Sequence, residues 1–215
     1  MNCSEIDFTL YAVTDRSWLK ENETLAQVVE TLLKAGVGCV QLREKTLGFD
    51  AFVEQAKTLK PICNAYHVPL IINDNVEVCL AADADGVHVG QSDMEVSRAR
   101  ALLGPDKLIG TSAHNVAEAL KAQQAGADYL GCGAVFGSTT KTNVSVLDKQ
   151  ELAEICKAVT IPVVAIGGIS QENVGRLENT GISGTALVSA LFAAEDKTLA
   201  AQTMRKAVQA IVHRV

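Results

Sequence analysis

Short apolar runs alternate with longer amphipathic segments along nearly the whole chain. The short runs are rich in Val, Ile and Leu and are bounded by glycine or polar residues, a pattern typical of buried strands. We predict strands at 8–14, 38–45, 69–73, 85–89, 107–110, 128–131, 162–166 and 184–188.

The longer segments place apolar residues three and four positions apart, which predicts helices that bury one face. Between residues 25 and 33, for example, Leu and Val recur at this spacing, and Gly36 follows as a helix-ending residue. We predict helices at 23–35, 49–66 with an interruption near Pro61, 76–82, 96–103, 115–125, 148–158, 171–177 and 199–212.

Eight strands that are each followed by a helix favour a (β/α)₈ TIM barrel of the α/β class. Nearly continuous Val/Ile/Leu strands fit a parallel sheet that is buried on both faces. A doubly wound open sheet is the alternative, but no Gly-x-Gly-x-x-Gly follows the first strand. The chain shows no linker, so we predict a single barrel domain over 1–215, with its active site where the strands end.

The composition limits which classes of function and which cellular compartment are compatible with the chain. The 215 residues are 48% hydrophobic and 4% aromatic, and the net charge of −6 argues against general nucleic-acid binding. No apolar stretch is long enough for a membrane span, and residues 1–10 lack a signal-peptide pattern. The six cysteines show no Cys-x-x-Cys spacing, which indicates thiols in a reducing compartment. We therefore expect a cytoplasmic protein.

The second strand ends in a cluster of charge. Side chains alternate along a strand, so Gln41, Arg43 and Lys45 share one face, opposite Leu42 and Glu44. Two cations and an amide at a strand end favour a bound polyanion such as a diphosphate. The alternatives are charges that spread into solvent, or an Arg43 that pairs with a carboxylate of the next strand.

Two carboxylates follow the third and fourth strands. Asp74 and Asp93 are expected on the same rim, and carboxylates that share Mg²⁺ with substrate phosphates are a common magnesium site. Asp74 is alternatively the N-cap of the helix that starts near Val76. His88, within the fourth strand, is assigned no role.

The loops after the fifth and sixth strands carry hydroxyl groups. Ser112 offers one to the rim, although Ser112 or Asn115 is alternatively a helix cap. After the sixth strand, hydroxyl residues lead to Lys141, which is typical either of an anion-binding loop or of a solvated turn. His114 has no Asp or Cys partner visible in the sequence, so no catalytic triad is indicated.

The last two strands are followed by the features of a phosphate site. Gly167 and Gly168 let the backbone approach a ligand closely, and Ser189 follows the eighth strand. Barrels often bind phosphate in these two loops. A diphosphate half and a monophosphate half on one rim suggest a transfer reaction with diphosphate as the leaving group.

Seven motifs at these strand ends resemble, in the same order, those of the thiamine-phosphate synthase family, and the resemblance runs from about residue 10 to 194. The motifs are Gln41-Leu-Arg-Glu-Lys45, Asn73-Asp74, Gly90-Gln-Ser-Asp93, Ser112-Ala-His114, Ser138-Thr-Thr-Lys141, Ile166-Gly-Gly-Ile169 and Val188-Ser189. The chain departs from the family pattern at Gly137, where Pro is expected, at Ser138, where Thr is expected, and at 181–184.

The resemblance implies a transferase that joins 4-amino-5-hydroxymethyl-2-methylpyrimidine diphosphate to 4-methyl-5-(2-phosphoethyl)thiazole or its carboxylated precursor. It implies Mg²⁺ at Asp74 and Asp93. The implied catalytic residues are Arg43, Lys45, Ser112 and Lys141. The implied substrate-binding residues are Gln41, Leu42, Arg43, Glu44, Lys45, Asn73, Ser112, Ser138, Thr139, Thr140, Lys141, Gly167, Gly168, Val188 and Ser189.

The expected partners are therefore small molecules, with no nucleic acid and no membrane, and a homo-oligomer is compatible with the sequence. One alternative is a related thiazole tautomerase, which should lack the metal carboxylates and the diphosphate cations. The other is a regulatory barrel that binds thiamine precursors without synthase activity.

Overall fold

The structure is a computed structural model that describes residues 3–137 and 146–212. In these ranges eight parallel strands pair in chain order, and β8 pairs with β1 to close the barrel. This confirms the predicted (β/α)₈ barrel and rules out the open sheet. The strands are β1 Leu10–Val13, β2 Cys39–Leu42, β3 Leu70–Asn73, β4 Gly86–Val89, β5 Leu108–Ala113, β6 Tyr129–Gly133, β7 Val163–Ile166 and β8 Gly184–Leu187.

Helices follow the strands on the outside of the barrel. They are α1 Leu25–Lys34, α2 Phe49–Ala65, α3 Val76–Ala81, α4 Val96–Leu103, α5 Val116–Gln124, α6 Lys149–Ala158, α7 Ser189–Phe192 and α8 Lys197–Gln209. After β7 the connection is a short 3₁₀ turn, Val174–Leu177, where the sequence predicts a helix over 171–177.

Two predicted details differ from the structure. Helix α2 runs without interruption through Pro61, which lies on the exposed side of the helix. Lys57, whose carbonyl loses its helical donor, is exposed as well, so water can take the place of that donor and the proline is tolerated. Strand β5 extends beyond the predicted Gly110 to Ala113, which places Ser112 inside the strand, in register with Gly131 of β6.

Apolar residues form two separate layers. One lies between the sheet and the helices and includes Val40 and Leu42 of β2. The other fills the interior of the barrel near the strand starts, where the Phe8 and Tyr129 ring centroids are 4.8 Å apart. Beyond this layer, where the strands end, the interior of the barrel is open.

The cysteines are free thiols, and Cys39, Cys63, Cys79 and Cys132 are buried as small core side chains. Burial raises the pKa of Cys63 to about 12, which keeps this thiol protonated and unreactive. Within the described residues, none of the helices combines the length and apolar character that crossing a bilayer requires.

One charged side chain braces the starts of β5 and β6. Arg100 of α4 donates to the Lys107 carbonyl at 2.7 Å, to the Gly126 carbonyl at 3.0 Å and to Asp128 Oδ2 at 2.6 Å. The same Asp128 oxygen accepts from the Ile109 backbone at 2.7 Å. Helix α4 is thus tied to both strands by partly buried polar contacts.

We predict that Arg100→Met lowers the free energy of unfolding by about 2–3 kcal/mol, because it leaves a carboxylate and the carbonyls of Gly104, Lys107 and Gly126 without their charged donor. Urea unfolding followed by circular dichroism measures this loss. Arg98→Met, an exposed position on the same helix, is the matched control and should stay close to wild type. Equal stabilities of the two variants would contradict the stabilising role of Arg100 between α4 and the starts of β5 and β6.

Candidate active site

A cavity of about 500 Å³ opens where the strands end, and residues after every strand except β1 line it together with interior side chains. It collects predicted site residues that lie up to about 150 positions apart in the sequence. These are Gln41, Arg43, Lys45, Asn73, Asp74, Asp93, Ser112, Gly167, Gly168, Val188 and Ser189. The predicted residues Ser138, Thr139, Thr140 and Lys141 lie outside the described residues.

Strand β2 shows the predicted alternation. Gln41, Arg43 and Lys45 all face the cavity. Leu42 is fully buried on the helix side of the sheet, so its side chain points away from the cavity. Glu44 does not line the cavity either, because another residue holds its carboxylate. Any substrate contact by Leu42 would have to come from its backbone.

The loop after β1 holds Glu44 and faces Arg43. Arg16 Nε and Nη2 donate to the two Glu44 carboxylate oxygens at 2.7 and 2.9 Å, and the Glu44 side chain is only 4% exposed. Asp15 lies beside the guanidinium of Arg43, with an Oδ2–Nη1 distance of 4.0 Å. Arg43 is therefore paired across to β1, and not to a carboxylate of β3 as the sequence alternative proposed.

Lys45 makes the contact to the next strand. Its ammonium donates to Asp74 Oδ2 at 2.6 Å. Asn75, and not Asp74, caps α3 by accepting from the Val78 backbone at 2.9 Å. Asp74 has a φ of 64°, a left-handed conformation that is unusual for a residue other than glycine. The carboxylate is thus held at the cavity, and the capping alternative for Asp74 is wrong.

Asp74 and Asp93 form an acidic pair of unequal members. Burial acts to raise the pKa of Asp74, but the hydrogen bond and charge of Lys45 bring this pKa below its usual value. The pKa of Asp93 is raised by burial and by the negative charge of Asp74, although the Gly90 backbone donates to Asp93 Oδ2 at 2.7 Å. Two neighbouring carboxylates repel each other, and a bound cation would relieve that repulsion.

A polar group of side chains crosses the cavity floor. His88, in β4, contacts Ser112 Oγ through Nε2 at 3.2 Å and Tyr129 Oη through Nδ1 at 3.2 Å. Tyr129 Oη lies 2.8 Å from Tyr11 Oη, which in turn accepts from Gln41 Nε2 at 2.9 Å. The sequence analysis assigns no role to His88 and does not single out either tyrosine. The residue pattern of a single strand does not show which side chains of other strands it meets inside the closed barrel.

The helix after β5 is capped by Asn115, whose side chain accepts from the Glu118 backbone at 2.9 Å. Ser112 is therefore not a cap and faces the cavity. His114 also lines the cavity, and its Nδ1 lies 3.0 Å from Glu118 Oε2. The partner of His114 is thus on the following helix turn.

The opposite wall contains the glycine pair. Gly167 and Gly168 have φ values of 102° and 64°, and a Cβ on either would collide with the segment after β6, at Ala134 and Gly137 respectively. Both glycines therefore have a packing reason that does not depend on a ligand. They place the backbone of the β7 loop at the cavity wall beside Ser189.

Comparison with known proteins identifies the family of this barrel. The family model described as thiamine monophosphate synthase matches residues 10–191. The chain belongs to that family.

Relatives support the assignment over nearly the full length. A thiamine-phosphate synthase of Methanobrevibacter smithii is 47% identical over 203 residues, which cover 94% of this chain and 96% of the relative. Thiamine-phosphate synthase 2 of Streptococcus pneumoniae is 49% identical and covers 87% of this chain and 89% of its own length. The solved thiamine phosphate pyrophosphorylase of Pyrococcus furiosus is 37% identical with a TM-score of 0.87, covering 96% and 98% of the two chains. The chain is therefore a transferase of thiamine biosynthesis.

We predict that Arg16 and Glu44 act on stability as one unit. Arg16→Met and Glu44→Gln should each cost about 1–2 kcal/mol, because each removes the partner of a charged hydrogen bond. The double variant should cost about 1 kcal/mol less than the sum of the two, which a double-mutant cycle in urea measures. Glu30→Gln, in the exposed pair with Lys34, is the control and should show no measurable loss. Additive costs would mean that Glu44 is stabilised by other groups.

Proposed function

We propose that this chain joins 4-amino-5-hydroxymethyl-2-methylpyrimidine diphosphate to 4-methyl-5-(2-phosphoethyl)thiazole, or to its carboxylated precursor. The products are thiamine monophosphate and diphosphate, together with CO₂ when the carboxylated precursor is the substrate. The observation that supports this most is that one cavity has cations and an acidic pair on one wall and the β7–β8 loops on the other. Membership of the thiamine monophosphate synthase family agrees with it.

The wall formed by β2, β3 and β4 fits a magnesium diphosphate. Within the described residues there is no cluster of three or more Asp, Glu, His or Cys side chains placed to hold a metal. Two carboxylates, Asp74 and Asp93, are what a Mg²⁺ that shares substrate phosphates needs, since this ion keeps waters and phosphate oxygens as its other ligands. Mg²⁺ bound there would neutralise charge that develops on the leaving diphosphate.

Arg43 and Lys45 supply fixed positive charge on the same wall. Lys45 now donates to Asp74, and it can transfer this hydrogen bond to a diphosphate oxygen when the carboxylate is engaged by a cation. Both side chains then stabilise negative charge as the carbon–oxygen bond to diphosphate breaks. Lys141, outside the described residues, is proposed as a third cation.

The reaction requires no protein base. The thiazole nitrogen carries no proton and forms the new carbon–nitrogen bond with its own lone pair, while diphosphate takes the electron pair of the bond that breaks. The protein therefore holds the two substrates in line and stabilises a cation-like pyrimidine methylene and the departing anion. A catalytic triad is therefore not needed for this chemistry.

The opposite wall is proposed to hold the thiazole phosphate. Gly168 and Val188–Ser189 bring backbone and a hydroxyl group to the cavity, and barrels often bind phosphate at this place. Because both substrates are phosphorylated and the thiols are free, we expect the reaction to take place in the reducing cytoplasm.

The direct test supplies purified protein with both substrates and Mg²⁺ and measures thiamine monophosphate after oxidation to a fluorescent derivative. We predict product that disappears with a chelator and returns when Mg²⁺ is restored. Binding of both substrates without turnover would favour the regulatory barrel, and conversion of the thiazole substrate alone would favour a tautomerase.

We predict that Asp93→Asn lowers kcat roughly 10²–10³-fold, because one ligand of the cation that stabilises the leaving group is lost. Glu95→Gln removes the same charge two residues away at an exposed position and should leave kcat near wild type. Steady-state kinetics at saturating Mg²⁺ measure both. Undiminished kcat in Asp93→Asn would contradict the metal site.

Ser189→Ala is expected to raise KM for the thiazole phosphate about 10-fold, because a hydrogen bond to phosphate is worth roughly 1–1.5 kcal/mol. KM for the pyrimidine diphosphate should not change. Ser183→Ala, just before β8 at the opposite end of the strand, is the control. A larger effect on the pyrimidine diphosphate would reverse the proposed assignment of the two walls.

A further inference from the structure

The loop after β7 is held in shape by a side chain that does not itself line the cavity. Asn173 lies just before the 3₁₀ turn Val174–Leu177, but its side chain does not cap that turn and reaches back into the loop. Asn173 Oδ1 accepts from the Ser170 backbone at 2.8 Å, and Nδ2 donates to the Gly168 carbonyl at 2.8 Å. These partners fix the orientation of the amide, because a backbone N–H can only donate and a carbonyl can only accept.

The contact with Gly168 sets the direction of one peptide group. The bond between Gly168 and Ile169 is trans, and in a trans peptide the carbonyl and the N–H point to opposite sides. Since the Gly168 carbonyl points to Asn173, the Ile169 N–H points away from Asn173. Gly168 and Ile169 line the cavity, whereas Asn173 does not. The Ile169 N–H is thus turned toward the side of the loop that faces the cavity.

This N–H has no hydrogen-bond acceptor in the parts of the chain that the structure describes. Ile169 is only 5% exposed, and its side chain packs in the apolar layer between the sheet and the helices. The backbone N–H of such a buried residue is normally hydrogen-bonded, since leaving it without an acceptor costs free energy. An acceptor on a bound ligand would supply the missing bond.

The loop has little stiffness of its own and depends on restraints from both sides. Gly167 and Gly168 are consecutive, with φ values of 102° and 64°, and glycine has the widest choice of backbone conformations. On one side, the Phe136 N–H donates to the Gly167 carbonyl at 3.1 Å. On the other side Asn173 supplies the restraint, and its hydrogen bond acts on the peptide that carries the Ile169 N–H.

We propose that Asn173 is a positioning residue that turns the Ile169 N–H toward the phosphate of the thiazole substrate. The inference rests on the proposed function, and it adds a donor to the phosphate wall together with the residue that aims this donor. The Ile169 N–H donates to a phosphate oxygen on the same wall as the Ser189 hydroxyl group. Asn173 itself touches no substrate atom.

A side chain that only stabilises the loop is the competing explanation. In that case loss of Asn173 lowers stability and changes the affinity for the thiazole ring and for its phosphate alike. If Asn173 aims one donor, its loss weakens only the contribution of the phosphate group. The ratio of Kd for the unphosphorylated thiazole alcohol to Kd for the thiazole phosphate measures that contribution.

Asn173→Asp separates the two hydrogen bonds of this side chain. Aspartate has nearly the same shape and keeps the acceptor for the Ser170 N–H, but a second oxygen replaces the donor to the Gly168 carbonyl. Two acceptors that face each other repel, so the peptide should turn away from its present direction. Gln171→Glu is the matched control, because it adds the same negative charge at an exposed position of the same loop.

The experiment measures Kd for 4-methyl-5-(2-hydroxyethyl)thiazole and for its phosphate by isothermal titration calorimetry. We expect Asn173→Asp to reduce the ratio of the two Kd values about 10-fold, because one hydrogen bond to a charged phosphate is lost. Asn173→Ala removes both bonds without adding charge and should reduce the ratio by a similar factor. Gln171→Glu should keep the wild-type ratio.

Steady-state kinetics and thermal unfolding complete the test. In both Asn173 variants, KM for the thiazole phosphate should rise by the factor seen in the Kd ratio, while kcat and KM for the pyrimidine diphosphate stay near wild type. A residue that only stabilises the loop would not produce this separation. Thermal unfolding identifies a variant that fails to fold, and the other Asn173 variant then carries the test.

An unchanged ratio in the folded variants, an equal loss of affinity for the alcohol and the phosphate, or the same loss in Gln171→Glu would each overturn the positioning role. A wild type whose affinity does not depend on the phosphate group would also overturn it. Turnover by the wild type together with any of these results would overturn only this inference. A ratio that falls as expected in a protein without turnover would support the positioning role and overturn the proposed synthase reaction.

Discussion

Pairing of β8 with β1, at Tyr11 and Ala186, is the constraint on which the site depends. It closes the sheet, so residues that follow distant strands face a common centre. Without closure, Arg43 and Ser189 would stand at different places along an open edge. Apolar residues fill the interior near the strand starts, and the space left at the other end becomes the cavity.

Charge on this rim is held in pairs before any ligand binds. Arg16 fixes Glu44, and Lys45 donates to Asp74, whose backbone is left-handed and whose carboxylate lines the cavity. Asp93 remains beside Asp74, with a pKa raised by burial and by that neighbouring charge. In the proposed reaction, the cation and the polyanion of the substrate each take a partner from one of these contacts.

The sequence predicted the barrel and most of the rim because both depend on local rules. Strand periodicity places Gln41, Arg43 and Lys45 on one face, and helix–strand alternation places Asp74 and Asp93 near each other. The sequence could not decide between the neighbouring residues Asp74 and Asn75, because both are good helix caps. The structure shows that the Asn75 side chain caps α3. Pro61 was predicted to interrupt α2, but its position on the exposed side of the helix was not visible.

Contacts between distant residues could not be predicted in this way. The Arg16–Glu44 pair and the series from Gln41 through the two tyrosines to His88 and Ser112 depend on which strands lie side by side. Strand β5 is also longer than its apolar run, since Thr111 and Ser112 are paired with β6 by backbone bonds that tolerate polar side chains.

A crystal structure with Mg²⁺ and the pyrimidine diphosphate tests the central claim most directly. We expect one metal ion bound by Asp74 and Asp93, with diphosphate oxygens within hydrogen-bonding distance of Arg43 and Lys45. A diphosphate bound beside Gly168 and Ser189, or a metal ion away from both aspartates, would contradict it.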